Sequence, residues 1–165
     1  MEQKIDLKHP FNGPIECGLR SLVILEHVYP GELDLQRLVF YDYLLIHSGD
    51  ANGPESIHPA TPHRSGEVLV KRHILEQGAL LMISRNLIKR NYSTTGIAYQ
   101  ATENATPFLD NLTSKYTVLL KERAIWVLNE FQKYSDSELE HFFKTHLDRW
   151  GGEFDKQAIL KHEIA

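Results

Sequence analysis

Three helical segments, then a switch to two short alternating strands about a turn, then a return to helical spacing predict a mainly α-helical domain with a small β-hairpin. That order is the order of a winged-helix (wHTH)-like domain, with a long insert between helices two and three and a C-terminal helical extension. The chain has 165 residues, about one domain's worth. The expected organisation is an N-terminal arm over residues 1–13 and a winged-helix-like domain over 14–105. C-terminal helices packing on it follow over 106–150, and then a tail over 151–165.

Each element has a local reason. Pro14 suits the first turn of a helix, where its missing N–H is not needed. Ile15, Leu19, Leu22, Val23 and Leu25 then recur at helical spacing, until "YPGELD" breaks the pattern. Asp34 is the expected N-cap of a second helix, "DLQRLVFYDYLLIHS". That segment is apolar on most faces, so it is expected to be buried nearly all round. A third helix is expected over residues 66–86. Gly78 in its interior marks a kink or a close contact with a neighbouring helix, and Asn86 is a candidate left-handed cap.

The period then changes. Residues 87–92 and 97–102 read as strands, with Gly96 supplying the awkward backbone angle of the "STTG" turn. Lys89 and Asn91 are expected on one face, Ile88, Arg90 and Tyr92 on the other. One long amphipathic helix is expected from "ENATPFLDNL" to "NEFQKY". Its stripe includes Leu109, Leu112, Tyr116, Leu119, Leu120, Ile125, Val127, Leu128 and Phe131. "SDSE" has capping-box spacing and starts a last helix toward Arg149.

Composition narrows the function. The formal net charge of −4 weighs against a stand-alone DNA-binding protein, which is more often basic. The single cysteine, Cys17, can neither form an intramolecular disulfide nor build a thiolate zinc site, and it is expected as a small core residue. "MEQKIDLKHPF" has no apolar signal-peptide core, and no apolar run reaches the roughly 18 residues of a membrane helix. A cytoplasmic protein without membrane contact is expected.

The stretch "HSGDANGPESIHPATPHRSGE", residues 47–67, is the main puzzle. Structureless loops beyond about 12–15 residues are uncommon inside compact domains. A metal site would draw on His47, Asp50, His58 and His63. Their spacing matches no compact motif, so no metal or cofactor is expected. A hydrolase would use Ser48, His58 and Asp50, but no nucleophile elbow surrounds Ser48. No glycine-rich run precedes a Lys-Ser or Lys-Thr pair, so the chain is not itself a P-loop ATPase. No catalytic residues are expected, and the protein is read as a non-enzyme. Three prolines, Pro54, Pro59 and Pro62, stiffen the loop. Asp50, Ser56 and Thr61 can accept backbone N–H groups. The loop is therefore read as a partner interface using His47, Asp50, His58, His63, Arg64 and Glu67. Trp126, on the long helix, is added as part of a groove-filling surface. Candidate DNA contacts are Lys71, Arg72, Arg85, Lys89 and Arg90, on helix three and the hairpin.

Three segments carry a family resemblance. They are "FNGPIECGLRSLVILEHVYPGELDLQRLVFYDYLLIHSGD", "GPESIHPATPHRSGEVLVKR" and "LLMISRNLIKRNYSTTGIAYQATENATPFLDNL". Together they resemble the middle component 2 family of ABC-three-component systems, bacterial conflict systems to which the Lamassu anti-phage systems are similar. The pairing of "DYLLIHSGD" with "SIHPATPHRSGE" is its most specific part. The resemblance implies a small winged-helix adaptor without catalytic residues, encoded beside an SMC-like ATPase and an effector, often a nuclease. DNA would be met through that complex. The alternative is a DNA-binding winged-helix regulator.

Overall fold

A computed structural model describes residues 13–59 and 64–150, and the side chains of residues 13–59 and 71–146. Most of the expected arm, the tail, Thr61, Pro62, His63 and the side chains of Arg64 and Glu67 lie outside the described residues.

The described chain is mainly helical, with six α-helices and a three-stranded antiparallel sheet. Helix α1 (Pro14–Val28) begins at its proline, as expected. Strand β1 (Leu33–Asp34) leads into α2 (Leu35–Ile46), whose first turn is capped by Asp34: the Arg37 N–H donates to Asp34 Oδ1 at 2.8 Å. From Leu38 to Ile46 every residue of α2 is buried, which makes it the central element of the core. A 3₁₀ turn (Ser48–Ala51) opens the insert. Helix α3 (Arg64–Ser84) ends at Asn86, which takes the expected left-handed conformation at φ 57. Strands β2 (Ile88–Ser93) and β3 (Gly96–Ala101) form the hairpin, with Gly96 at φ 128. The sheet order is β1-β3-β2.

Two expectations are corrected. β1 was not anticipated. It is two residues long, and pairing Leu33 with Tyr99 and Asp34 with Ala98 is what holds it extended. The expected single long helix is two: α4 (Ala105–Asp110) and α5 (Lys115–Phe131). "NLTS" offers caps that compete with helix continuation. Ser114 accepts the Thr117 N–H at 3.2 Å and starts α5 afresh. Lys121 Nζ reaches back to donate to the Leu109 carbonyl at 2.8 Å, adding a charged donor to an acceptor that the Leu112 N–H also reaches at the end of α4. In addition, Leu119 and Ile125 of α5 and Leu80 and Leu81 of α3, counted on apolar stripes, are exposed.

Helix α6 (Asp136–Trp150) opens with the expected capping box. Glu138 Oε2 accepts the Ser135 N–H at 2.7 Å, and Ser135 Oγ accepts the Glu138 N–H at 3.2 Å. Arg37 ties α6 to α2 by donating to Asp136 Oδ1 at 2.8 Å and to the Tyr134 carbonyl at 2.6 Å. Phe143 closes the contact by stacking on Phe40 with ring centroids 4.3 Å apart.

α1 and α3 cross at a glycine pair. A Cβ on Gly18 would meet the Gly78 carbonyl oxygen at 2.6 Å, and one on Gly78 would collide with the Pro14 carbonyl oxygen. Gly78 is thus a close contact, one of the two roles that its position in the helix interior allowed. Gly78→Ala gains about 1 kcal/mol of helix propensity but forces two backbones apart. Overpacking costs typically 1–3 kcal/mol, and rigid backbone puts this site at the upper end. Net destabilisation of about 1–2 kcal/mol is expected, read from urea denaturation.

Candidate functional site

The chemistry-bearing residues converge beneath the insert, where α1, α2 and α3 meet. Asp42 of α2 is completely buried and takes two cations. Arg20 of α1 donates from Nε to Oδ1 at 2.6 Å and from Nη2 to Oδ2 at 3.2 Å. Lys71 of α3 places Nζ 3.3 Å from Oδ2. Burial pushes the Asp42 pKa up, but Arg20 and then Lys71 outweigh it and hold the carboxyl below its ordinary value. Arg20 stays charged despite burial, because Asp42 raises its pKa in turn.

The insert docks on this triad. The His58 N–H donates to the Ile46 carbonyl at 3.0 Å, and His58 Nε2 lies 2.8 Å from Tyr116 Oη. Tyr116, on α5, is itself hydrogen-bonded to Arg20. Burial, then the charges of Arg20 and Lys71, push the His58 pKa down to about 4, so its imidazole is neutral at physiological pH. His47 packs against the Tyr43 ring, and Tyr43 Oη donates to Asp50 at 2.6 Å. Ser48 Oγ donates to the Pro54 carbonyl at 2.8 Å, and the Gly49 N–H donates to Ser56 Oγ at 2.9 Å. From above, Trp126 covers Gly53 so closely that a Cβ there would enter its ring, and Arg123 Nη2 donates to the Glu55 carbonyl at 2.9 Å.

Several candidate site residues take unexpected places. His47 and His58 are buried against the core, and Asp50 is half-buried against Tyr43, so these three do not form an exposed docking patch. Trp126 is half-buried over the insert. Lys71, a candidate DNA contact, is buried on Asp42. Arg72 is exposed and donates to Gln36 at 2.8 Å, Arg85 and Lys89 are exposed, and Arg90 lies over the Tyr92 ring at 5.8 Å. Sequence reasoning missed Arg20, Asp42 and Tyr116. The available signal was a carboxylate and an arginine inside otherwise apolar helices, since such charges are almost never buried unpaired.

A buried cluster of this kind holds elements together. Burial, then the negative charge of Asp42, push the Cys17 thiol up to about 11, which disfavours the thiolate a nucleophile needs. Among the described residues no group of three His, Cys, Asp or Glu is arranged to hold a metal ion. A surface notch between α2 and α6, lined by Asp34, Arg37, Asp136 and Glu140, has a volume of about 90 Å³. Ligand pockets are typically about 300–1,000 Å³. Among the described residues no helix is long and apolar enough to cross a membrane.

The class defined so far is a small helical protein organised on a buried ionic triad, with its insert sealed onto that triad. The family model of the ABC-three component (ABC-3C) system Middle Component 2 matches residues 10–153, and the chain belongs to that family. No curated protein and no solved structure matches it.

Two outcomes are expected. Asp42→Ala strands two buried cations and lowers stability by about 3–5 kcal/mol in urea denaturation, the range for breaking a buried pair. Because His58 is neutral when folded, the unfolded chain binds a proton that the native chain refuses between pH 6.5 and about 4. Stability is therefore full above pH 6.5, falls on acidification through that window, and loses nothing further to His58 below it. His58→Gln, which keeps a polar partner for Tyr116, flattens the urea midpoint across that window.

Proposed function

We propose that this chain is the non-enzymatic adaptor of an ABC-three-component anti-phage defence complex of Lamassu-like type. It joins an SMC-like ABC ATPase to a nuclease-type effector in the cytoplasm. The observation that carries the reading is the Middle Component 2 match over residues 10–153. Two features of the chain support it. Its candidate catalytic side chains, Ser48 and His58, are buried and used in packing the insert. Its element order, α1-β1-α2-α3-β2-β3 with sheet order β1-β3-β2, supports a winged-helix domain in which α3 is the recognition helix and β2-β3 the wing.

A second reading, a DNA-binding winged-helix protein, is favoured by one observation: Arg85 and Lys89 stand exposed where α3 passes into the wing. Phosphate contacts there would make affinity fall steeply with salt.

Co-expression with the two proteins encoded beside it tests the adaptor reading. Co-purification with both is expected, and failure to co-purify with either one removes the linking role. A gel shift by the isolated chain that weakens with salt and is lost in Arg85→Glu/Lys89→Glu would favour the second reading.

A further inference from the structure

The face between α3 and the wing is apolar where a DNA-reading domain needs donors. In the sheet register Tyr92 lies opposite Ile97, Arg90 opposite Tyr99, and Ile88 opposite Ala101. Alternation puts all six side chains on one sheet face. The inner members, Ile88, Tyr99 and Ala101, are buried in the core, but Tyr92 is 70% and Ile97 45% exposed. The core face of the sheet therefore runs on past the core as an uncovered apolar tip.

α3 flanks this tip. The turn at Asn86 sends β2 back along the helix. At about 3.3 Å per strand residue and about 1.5 Å per helical residue, Tyr92 comes level with the turn of α3 that holds Glu76. The electrostatics agree: after burial, the charge of Glu76 raises the Tyr99 pKa, while Arg90 hydrogen-bonds that same hydroxyl. One turn on from Glu76, Leu80 is exposed on the same helical stripe. Arg72 stands at one end of this face, and Arg85 and Arg90 gather at the other, while Lys89 lies on the opposite sheet face. Against these three cations Glu76 is the one carboxylate of α3 and β2 among residues 71–93. The face is thus locally cationic on a chain of net charge −4.

We propose that the α3–wing face, centred on Leu80, Tyr92 and Ile97, is a docking groove for an acidic amphipathic segment of another protein. Apolar side chains of that segment cover the Tyr92–Ile97 tip, and its carboxylates meet the cations at the two ends. This rests on the adaptor reading, which supplies such a partner. Nucleic acid fits less well. A duplex would set phosphates near Glu76 and leave Tyr92 and Ile97 without apolar contact, whereas exposed aromatic and Arg pairs are typical anchors of protein interfaces.

The test uses the full chain co-expressed with the two proteins encoded beside it. A photo-crosslinking p-benzoylphenylalanine is placed at position 92, and separately at Asn129 on α5 as a control. The proposal expects a crosslink from position 92 to one of those two proteins, and none from 129. It also expects Tyr92→Ser/Ile97→Ser to weaken that complex at least about tenfold with the thermal melt unchanged. A crosslink from 92 to DNA, or to a second copy of this chain, overturns it. So does full complex formation by the double variant, in which case the adaptor reading survives. If the unsubstituted chain captures neither protein, both readings fall together.

Discussion

The fold depends on one carboxylate. Asp42 sits at 0% exposure on the central helix and accepts from a cation on each of the two helices beside it. An isolated buried charge would be driven to neutrality, and two buried cations facing only each other would repel. The three groups are stable in that place only as a set, so the positions of α1, α2 and α3 are coupled. Packing alone would let apolar helices slide by a turn at modest cost, but the triad ties each helix to one register. Replacing the set by apolar residues of similar volume would often be neutral or stabilising, so its contribution here is to geometric definition more than to net stability.

The insert inherits its order from the same centre. Among its described residues before α3 this Gly- and Pro-rich segment has one 3₁₀ turn and few backbone bonds of its own. It is held instead by side chains that reach the triad: His58 through Tyr116 to Arg20, and Asp50 through Tyr43. α5 closes over it with Trp126 and Arg123. His47 and His58, which invite a ligand-binding interpretation, are therefore part of the packing between a loop and its core. His58 stays neutral because it is buried, and because its neighbours Arg20 and Lys71 are already cationic.

That arrangement separates two surfaces that look alike in the sequence. The insert is polar and rich in potential ligands, yet His47, Ser48 and His58 are turned inward. The helix α3 and hairpin segment looks like an ordinary amphipathic stretch, yet it leaves Leu80, Tyr92 and Ile97 in solvent. Exposed large apolar side chains are more informative than buried ones, because burial is the default for them.

By itself the sequence determined what depends on near neighbours. The start of α1 at Pro14, the Asp34 cap, the left-handed Asn86, the Ser135–Glu138 box and the alternation of the hairpin are all settled within a few residues. The same local reasoning singled out Gly78 as a kink or a close contact, of which the structure shows the contact. Only the tertiary structure decided the rest. β1 exists because β3 pairs with it, and the break between α4 and α5 is bridged by Lys121, twelve residues away from the carbonyl it donates to. Lys71 reads as surface charge until α1 and α2 bring Arg20 and Asp42 beside it. Whether a charge faces water or another charge depends on residues 22 and 29 positions distant, and neither period nor propensity carries information over that range.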